Sequence, residues 1–153
     1  LSNKLDCKIQ DYWGLDEFCL YEPALKDFDI LPDKKFDAVI CTDVLEHVPK
    51  ADLGWVIEEM FARANKLLFF NIATYPALKT FVDGTNVHVS LFPVADWLSF
   101  IEKIHNRYPA LTVEVYFDEY KDFEVLTSGY KLEGRDARNK NTLSSETATA
   151  QSA

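Results

Sequence analysis

Hydrophobic positions along the chain follow two rhythms, and the changes between them locate the elements. From Pro49 to Asn65 the apolar residues Leu53, Val56, Ile57, Met60, Phe61 and Ala64 recur at spacings of three and four. That spacing puts them on one face of a helix. Pro49 and Asp52 suit its first turn, and Arg63 and Lys66 suit its end. A second helix is predicted from Val94 to Arg107, with Trp97, Leu98, Ile101, Ile104, His105 and Tyr108 on one side. Pro109 ends it.

Between these helices lie short apolar runs of strand character. Residues 18–21 form one, stopped by Pro23, which cannot donate to a ladder. Residues 36–42 and 67–72 read as buried strands. Val87–Phe92 reads as a short extended segment at the end of a loop that carries Pro76, Asp83-Gly84 and Asn86. Leu111–Phe117 alternates, with Thr112, Glu114 and Tyr116 on one face. A polar turn at 118–122 and a last strand at 123–127 complete the order. Strands alternating with helices imply parallel crossovers and an α/β sheet covered on both faces. The short final turn implies that the sheet closes with an antiparallel hairpin.

The chain has 153 residues, 48% hydrophobic, which suits a single domain over 1–132. Residues 133–153 turn to Ser, Thr, Asn and Ala and read as a disordered tail. The formal net charge is -9, and the basic residues cluster only at Lys131, Arg135, Arg138 and Lys140. Such a balance disfavours nucleic acid and suits a small or cationic substrate. Three cysteines (Cys7, Cys19 and Cys41) make no C-x-x-C pair, so a disulfide framework and a zinc knuckle lack support. Reduced thiols, with Cys41 in the core, fit a cytoplasmic protein. No signal peptide or membrane span is visible in the sequence. Trp55 lies off the stripe of its helix and Trp97 on the stripe of its own, and both read as packing or interface residues.

The run Phe36-Asp37-Ala38-Val39-Ile40-Cys41-Thr42-Asp43-Val44-Leu45-Glu46-His47-Val48-Pro49 is the most informative stretch. It resembles the central segment of class I S-adenosylmethionine-dependent methyltransferases, in which a Phe-Asp pair opens a strand and Asp-Val-Leu-Glu-His follows it. The resemblance spans roughly residues 12–130. It implies a Rossmann-like, mostly parallel sheet with helices on both faces, N-terminally truncated. The family's first strand carries a glycine-rich turn, and no G-x-G spacing occurs here. The implied activity is methyl transfer from S-adenosylmethionine to a small molecule or a protein side chain. The alternative is a non-catalytic binding or scaffold protein that kept the fold. That alternative implies a second copy, or another partner, covering a sheet edge.

The resemblance assigns cofactor contacts to Glu22, whose two carboxylate oxygens suit ribose hydroxyls, and to Asp27 and Phe28 near the adenine. Only four residues separate Glu22 from Asp27, where the family places a full helix and strand. Asp43, after the strand, is placed beside the cofactor or the substrate. Asn71 and Asn86 are candidate substrate-binding residues. His88, His47 and Tyr75 are candidate catalytic residues, the histidines as proton acceptors. Each has a plainer reading: Glu22 as a turn acid, His47 as a local cap, Asn86 and His88 as residues that order a long loop. No metal site is expected from the sequence.

Overall fold

The computed structural model describes residues 9–122, 124–134 and 145–146. The chain divides into two compact units, Leu1–Lys34 and Lys35–Ala153.

In the first unit a short helix, α1 (Ile9–Trp13), ends at Gly14, whose φ of 61° lets the chain leave the helix in the left-handed region. The Leu15 N–H closes it by donating to the Gln10 carbonyl at 3.0 Å. The expected strand at 18–21 does not form. A strand needs a neighbouring ladder, and no described strand pairs with this run. The chain instead turns at Glu22–Phe28, where Glu22 N–H donates to Phe28 O at 2.9 Å and Leu25 N–H to Glu22 O at 3.0 Å. Lys34 is ion-paired with Glu17.

The second unit is built on a mixed sheet. Its elements run β1 (Phe36–Thr42), a 3₁₀ turn (Leu45–His47), α2 (Leu53–Arg63), β2 (Ala64–Ala73), α3 (Val94–His105), β3 (Thr112–Lys121), β4 (Glu124–Leu132) and the two-residue β5 (Ser145–Glu146). The strand order is β1-β2-β3-β4-β5. β1 and β2 pair in parallel from Phe36↔Ala64 to Thr42↔Asn71, and β2 and β3 from Leu67↔Thr112 to Ala73↔Asp118. β3 and β4 form the expected hairpin, from Val113↔Leu132 to Lys121↔Glu124. Asp122 in its turn takes φ 52°, a conformation that Asp tolerates better than most residues. Of the tail expected over 133–153, Glu133, Gly134 and β5, which pairs with Gly129 and Tyr130, are described, and the remainder lies outside the described residues.

Alternation sorts each strand into two faces. Leu68, Phe70 and Ile72 of β2, with Val113, Val115 and Phe117 of β3, point into one core. Ile57 and Phe61 of α2, and Trp97 and Ile101 of α3, fill the same core. Within this unit both helices therefore cover one face, not the two that were expected. The other face carries Ile40, 50% exposed, and the stacked rings of Phe69 and Tyr116. Gly129 is required beneath Tyr116, because a Cβ there would meet the ring at 2.8 Å.

The helix boundaries also differ from the periodicity. α2 begins at Leu53, because Pro49 opens a separate turn in which Asp52 N–H donates to Pro49 O at 2.8 Å. It stops at Arg63, and the chain passes at once into β2, so Lys66 is a strand residue paired with Asp37 at 2.7 Å. Trp55 is 62% exposed, its indole N–H donating to Asp52, whereas Trp97 is fully buried. Among the described residues, no helix is long and apolar enough to cross a membrane.

Candidate active site at the strand ends

The carboxyl ends of β1 and β2 carry the polar chemistry of the second unit. β1 ends at Thr42, and Asp43 turns the chain with φ 53° while its N–H donates to Asn71 O at 3.0 Å. The 3₁₀ turn that follows drives Leu45 into the core and, next to it, Glu46. Both side chains are fully buried, although one is a carboxylate.

Glu46 Oε1 accepts the Ala73 N–H at 3.3 Å, from the last residue of β2. Glu46 Oε2 is buried with no hydrogen-bond partner. Burial raises the Glu46 carboxyl above its usual range, opposed by hydrogen bonds from backbone N–H groups, and the neighbouring Asp43 charge adds to the rise. A buried carboxylate oxygen without a partner costs free energy that a well-packed site normally avoids.

Two histidines stand over this carboxylate. His47 follows it in the chain, and His88 arrives on the loop between β2 and α3. That loop is fastened to the 3₁₀ turn by Ser90, whose N–H donates to Glu46 O at 2.9 Å and whose hydroxyl donates to Val48 O at 2.6 Å. His47 Nδ1 lies 2.9 Å from Val87 O, and His88 Nδ1 lies 2.6 Å from Tyr75 O. A carbonyl only accepts, so each Nδ1 carries a hydrogen, which in the neutral ring leaves Nε2 its lone pair. The rings meet edge to face with centroids 4.7 Å apart. One ligand atom each from Glu46, His47 and His88 lies within 4.8 Å of the other two.

Tyr75 flanks the histidines, its ring 6.1 Å from His88 and 6.0 Å from Tyr120. Burial, then the carboxylates of Asp118, Asp43 and Glu46, raise its hydroxyl's pKa, so the phenol remains a donor at neutral pH. Further along the rim, Asn71 Nδ2 donates to Asp118 Oδ2 at 3.1 Å and Thr127 Oγ1 to Asp118 Oδ1 at 2.5 Å. Asn71 Oδ1 is buried and lacks a partner. Polar atoms of this kind are acceptors held ready for a donor.

The sequence-predicted residues thus separate into groups. Asp43, His47, Asn71, Tyr75 and His88 gather at the strand ends. Asn86 has a structural role: its carbonyl oxygen accepts Ala77 N–H at 3.1 Å and His88 N–H at 2.9 Å, and its amide donates to Ala77 O at 2.8 Å. It shapes the loop that carries His88. Glu22, Asp27 and Phe28 belong to the turn in the first unit. Glu22 Oε1 accepts the Ala24 N–H at 3.0 Å, which is the work of a turn acid. Residues 18–21 form no strand, so Glu22 does not stand at a strand end as the resemblance implies, whereas Asp43, in the second unit, directly follows β1.

Two residues that matter here were not singled out for a role. Glu46 lies inside the quoted run, but nothing in its neighbours announces that a carboxylate would be buried. Asp118, expected in the polar turn, lies within β3, where the alternation of Thr112, Glu114 and Tyr116 extends to it. Among the described residues His105 provides the contrast: it is buried, its Nε2–H donates to Leu111 O at 2.8 Å, and it joins α3 to β3. Comparison with protein-family models, with curated proteins and with solved structures gives no match.

Proposed function

We propose that the second unit serves S-adenosylmethionine-dependent methyl transfer, as the acceptor side of a Rossmann-like site. The observation that carries this reading is the placement of Asp43 and His47 from the resembling run. Both follow the carboxyl end of β1, the end of the sheet where open α/β proteins bind ligands. The acceptor class is a small molecule or a protein side chain, in keeping with the acidic chain. Asn71 and Tyr75 orient it by hydrogen bonds. His88 or His47, with a free Nε2 lone pair, takes the proton that a hydroxyl or amine nucleophile loses. Alignment of the nucleophile and exclusion of water are the main tasks of such a site.

The test is a titration of the isotopically labelled chain with S-adenosylhomocysteine, followed by amide NMR. The expected result is a saturable shift of Asp43, Val44 and the neighbouring Asn71 amide. If millimolar ligand leaves these amides unmoved, the methyl-transfer reading fails. The second reading, a non-catalytic scaffold, is favoured by the half-exposed Ile40 on β1, the first strand in the sheet order. A second copy of the chain, or another protein, would then cover that edge. The same titration separates the two readings, since a scaffold leaves the rim amides unmoved.

A further inference from the structure

We propose that Glu46, His47 and His88 bind one divalent transition-metal cation of the zinc, cobalt or manganese kind. The proposal does not depend on the methyl-transfer reading.

Three observations carry it. The first is the donor set: two imidazoles and one carboxylate, with a ligand atom of each within 4.8 Å of the others. Bonds of about 2.0–2.1 Å in a tetrahedron place ligands ~3.3 Å apart, so small side-chain rotations close the set around an ion. The second is the orphaned Glu46 Oε2, on a fully buried side chain. A buried carboxylate favours a counter-charge, and among the described residues no lysine or arginine forms a salt bridge with Glu46, leaving His47 as its positive neighbour. A cation held by both histidines would supply it. The third is the orientation of the rings. Each histidine donates Nδ1–H to a backbone carbonyl, Val87 O or Tyr75 O. This outer contact is one that metal-binding histidines commonly make, and it leaves Nε2 as the nitrogen open to an ion.

The set is also built before any ion arrives. His88 comes from a loop that Asn86 shapes and Ser90 fastens to the backbone of Glu46. Imidazole donors favour zinc, cobalt, manganese or iron over magnesium or calcium, which prefer all-oxygen sites. Three protein ligands leave at least one position for water or for an oxygen of a bound molecule. Tyr75, whose ring centroid lies 6.1 Å from that of His88, flanks such a molecule. This arrangement binds a ligand through a hydroxyl or carboxylate oxygen.

The test is titration of the EDTA-stripped, dialysed chain with Co²⁺. The expected result is one equivalent bound, with the visible absorption of low-coordinate cobalt, lost on adding Zn²⁺. His47→Ala and His88→Ala should each weaken binding about 100-fold. The proposal is overturned if binding does not saturate at millimolar Co²⁺. It is equally overturned if a double variant, His47→Ala with His88→Ala, binds as tightly as the parent. Should either variant fold poorly, Mn²⁺ line broadening on the unchanged protein decides the matter. Broadening centred on Glu46, His47 and His88 supports the site, and broadening centred on Asp27, Asp29 and Asp33 overturns it. Neither readout involves S-adenosylhomocysteine, so failure here leaves the methyl-transfer test intact.

Discussion

Leu45 and Glu46 are adjacent and equally buried, yet they belong to two different regions. Leu45 joins the apolar core between the sheet and the helices, where Phe61, Phe70, Phe117 and Trp97 pack. Glu46 joins the rim, where His47, His88, Tyr75, Asn71 and Asp118 gather. The core is held together by area removed from water, which asks only for shape and apolar surface. The rim is held by directed hydrogen bonds, and it leaves Glu46 Oε2 and Asn71 Oδ1 without partners, while in the core the Trp97 indole N–H is buried without one. The two regions thus rest on different forces, one indifferent to direction and the other set by it.

Substitutions can break this contrast in graded steps. The largest effect belongs to the core. Phe61 is fully buried against Phe70, His105 and Tyr108. Phe61→Ala should cost ~3–5 kcal/mol in urea unfolding, by lost burial and the cavity left behind. A loss under ~1 kcal/mol would mean that the core does not carry the fold.

The second step lies at the junction of the two regions. Burial, then the Glu46 and Asp43 carboxylates, push the Cys41 thiol up to about 12 from an ordinary value of 9.0. The folded state therefore holds the neutral thiol. Its stabilising contribution is complete below pH 9, and it fades as the pH rises toward 12. Between pH 8 and pH 10 the parent should lose about 1.4 kcal/mol more than Cys41→Ala, measured as urea stability at each pH. Parallel pH profiles for the two proteins would contradict the buried, carboxylate-flanked placement.

The smallest step is at the rim loop. Asn86→Ala removes three hydrogen bonds that shape the approach to His88. A loss of about 1 kcal/mol is expected, together with faster hydrogen exchange at the Ala77 and His88 amides. Unchanged exchange would show that the loop is ordered by other contacts.

Much of the fold was legible because core positions repeat. The spacing of Leu53, Ile57 and Phe61 marked α2, and that of Trp97, Ile101 and Ile104 marked α3. The apolar runs marked β1 and β2, and the short polar turn announced the hairpin. Boundaries were less legible, because a local pattern does not say where pairing begins. Residues 18–21 have strand composition but no described neighbour to pair with. β3 continued to Lys121 because β4 stood beside it to accept the ladder. That α2 and α3 both pack on one face escaped detection too, since alternation shows that a face is apolar and not how many helices reach it.

The rim divided in the same way. Local order could place Asp43, Glu46 and His47 after a strand, since they are neighbours in sequence. By itself, then, the sequence determined the α/β element order, the terminal hairpin and the segment at which chemistry would concentrate. Periodic burial and turn chemistry are local properties, readable over a few residues. Only the tertiary structure decided that His88 returns to within reach of His47 across forty-one positions of chain, and that Glu46 is buried with one oxygen unpaired. Those facts depend on where a long loop is fastened and on what fills the space beside a side chain, which no local pattern encodes.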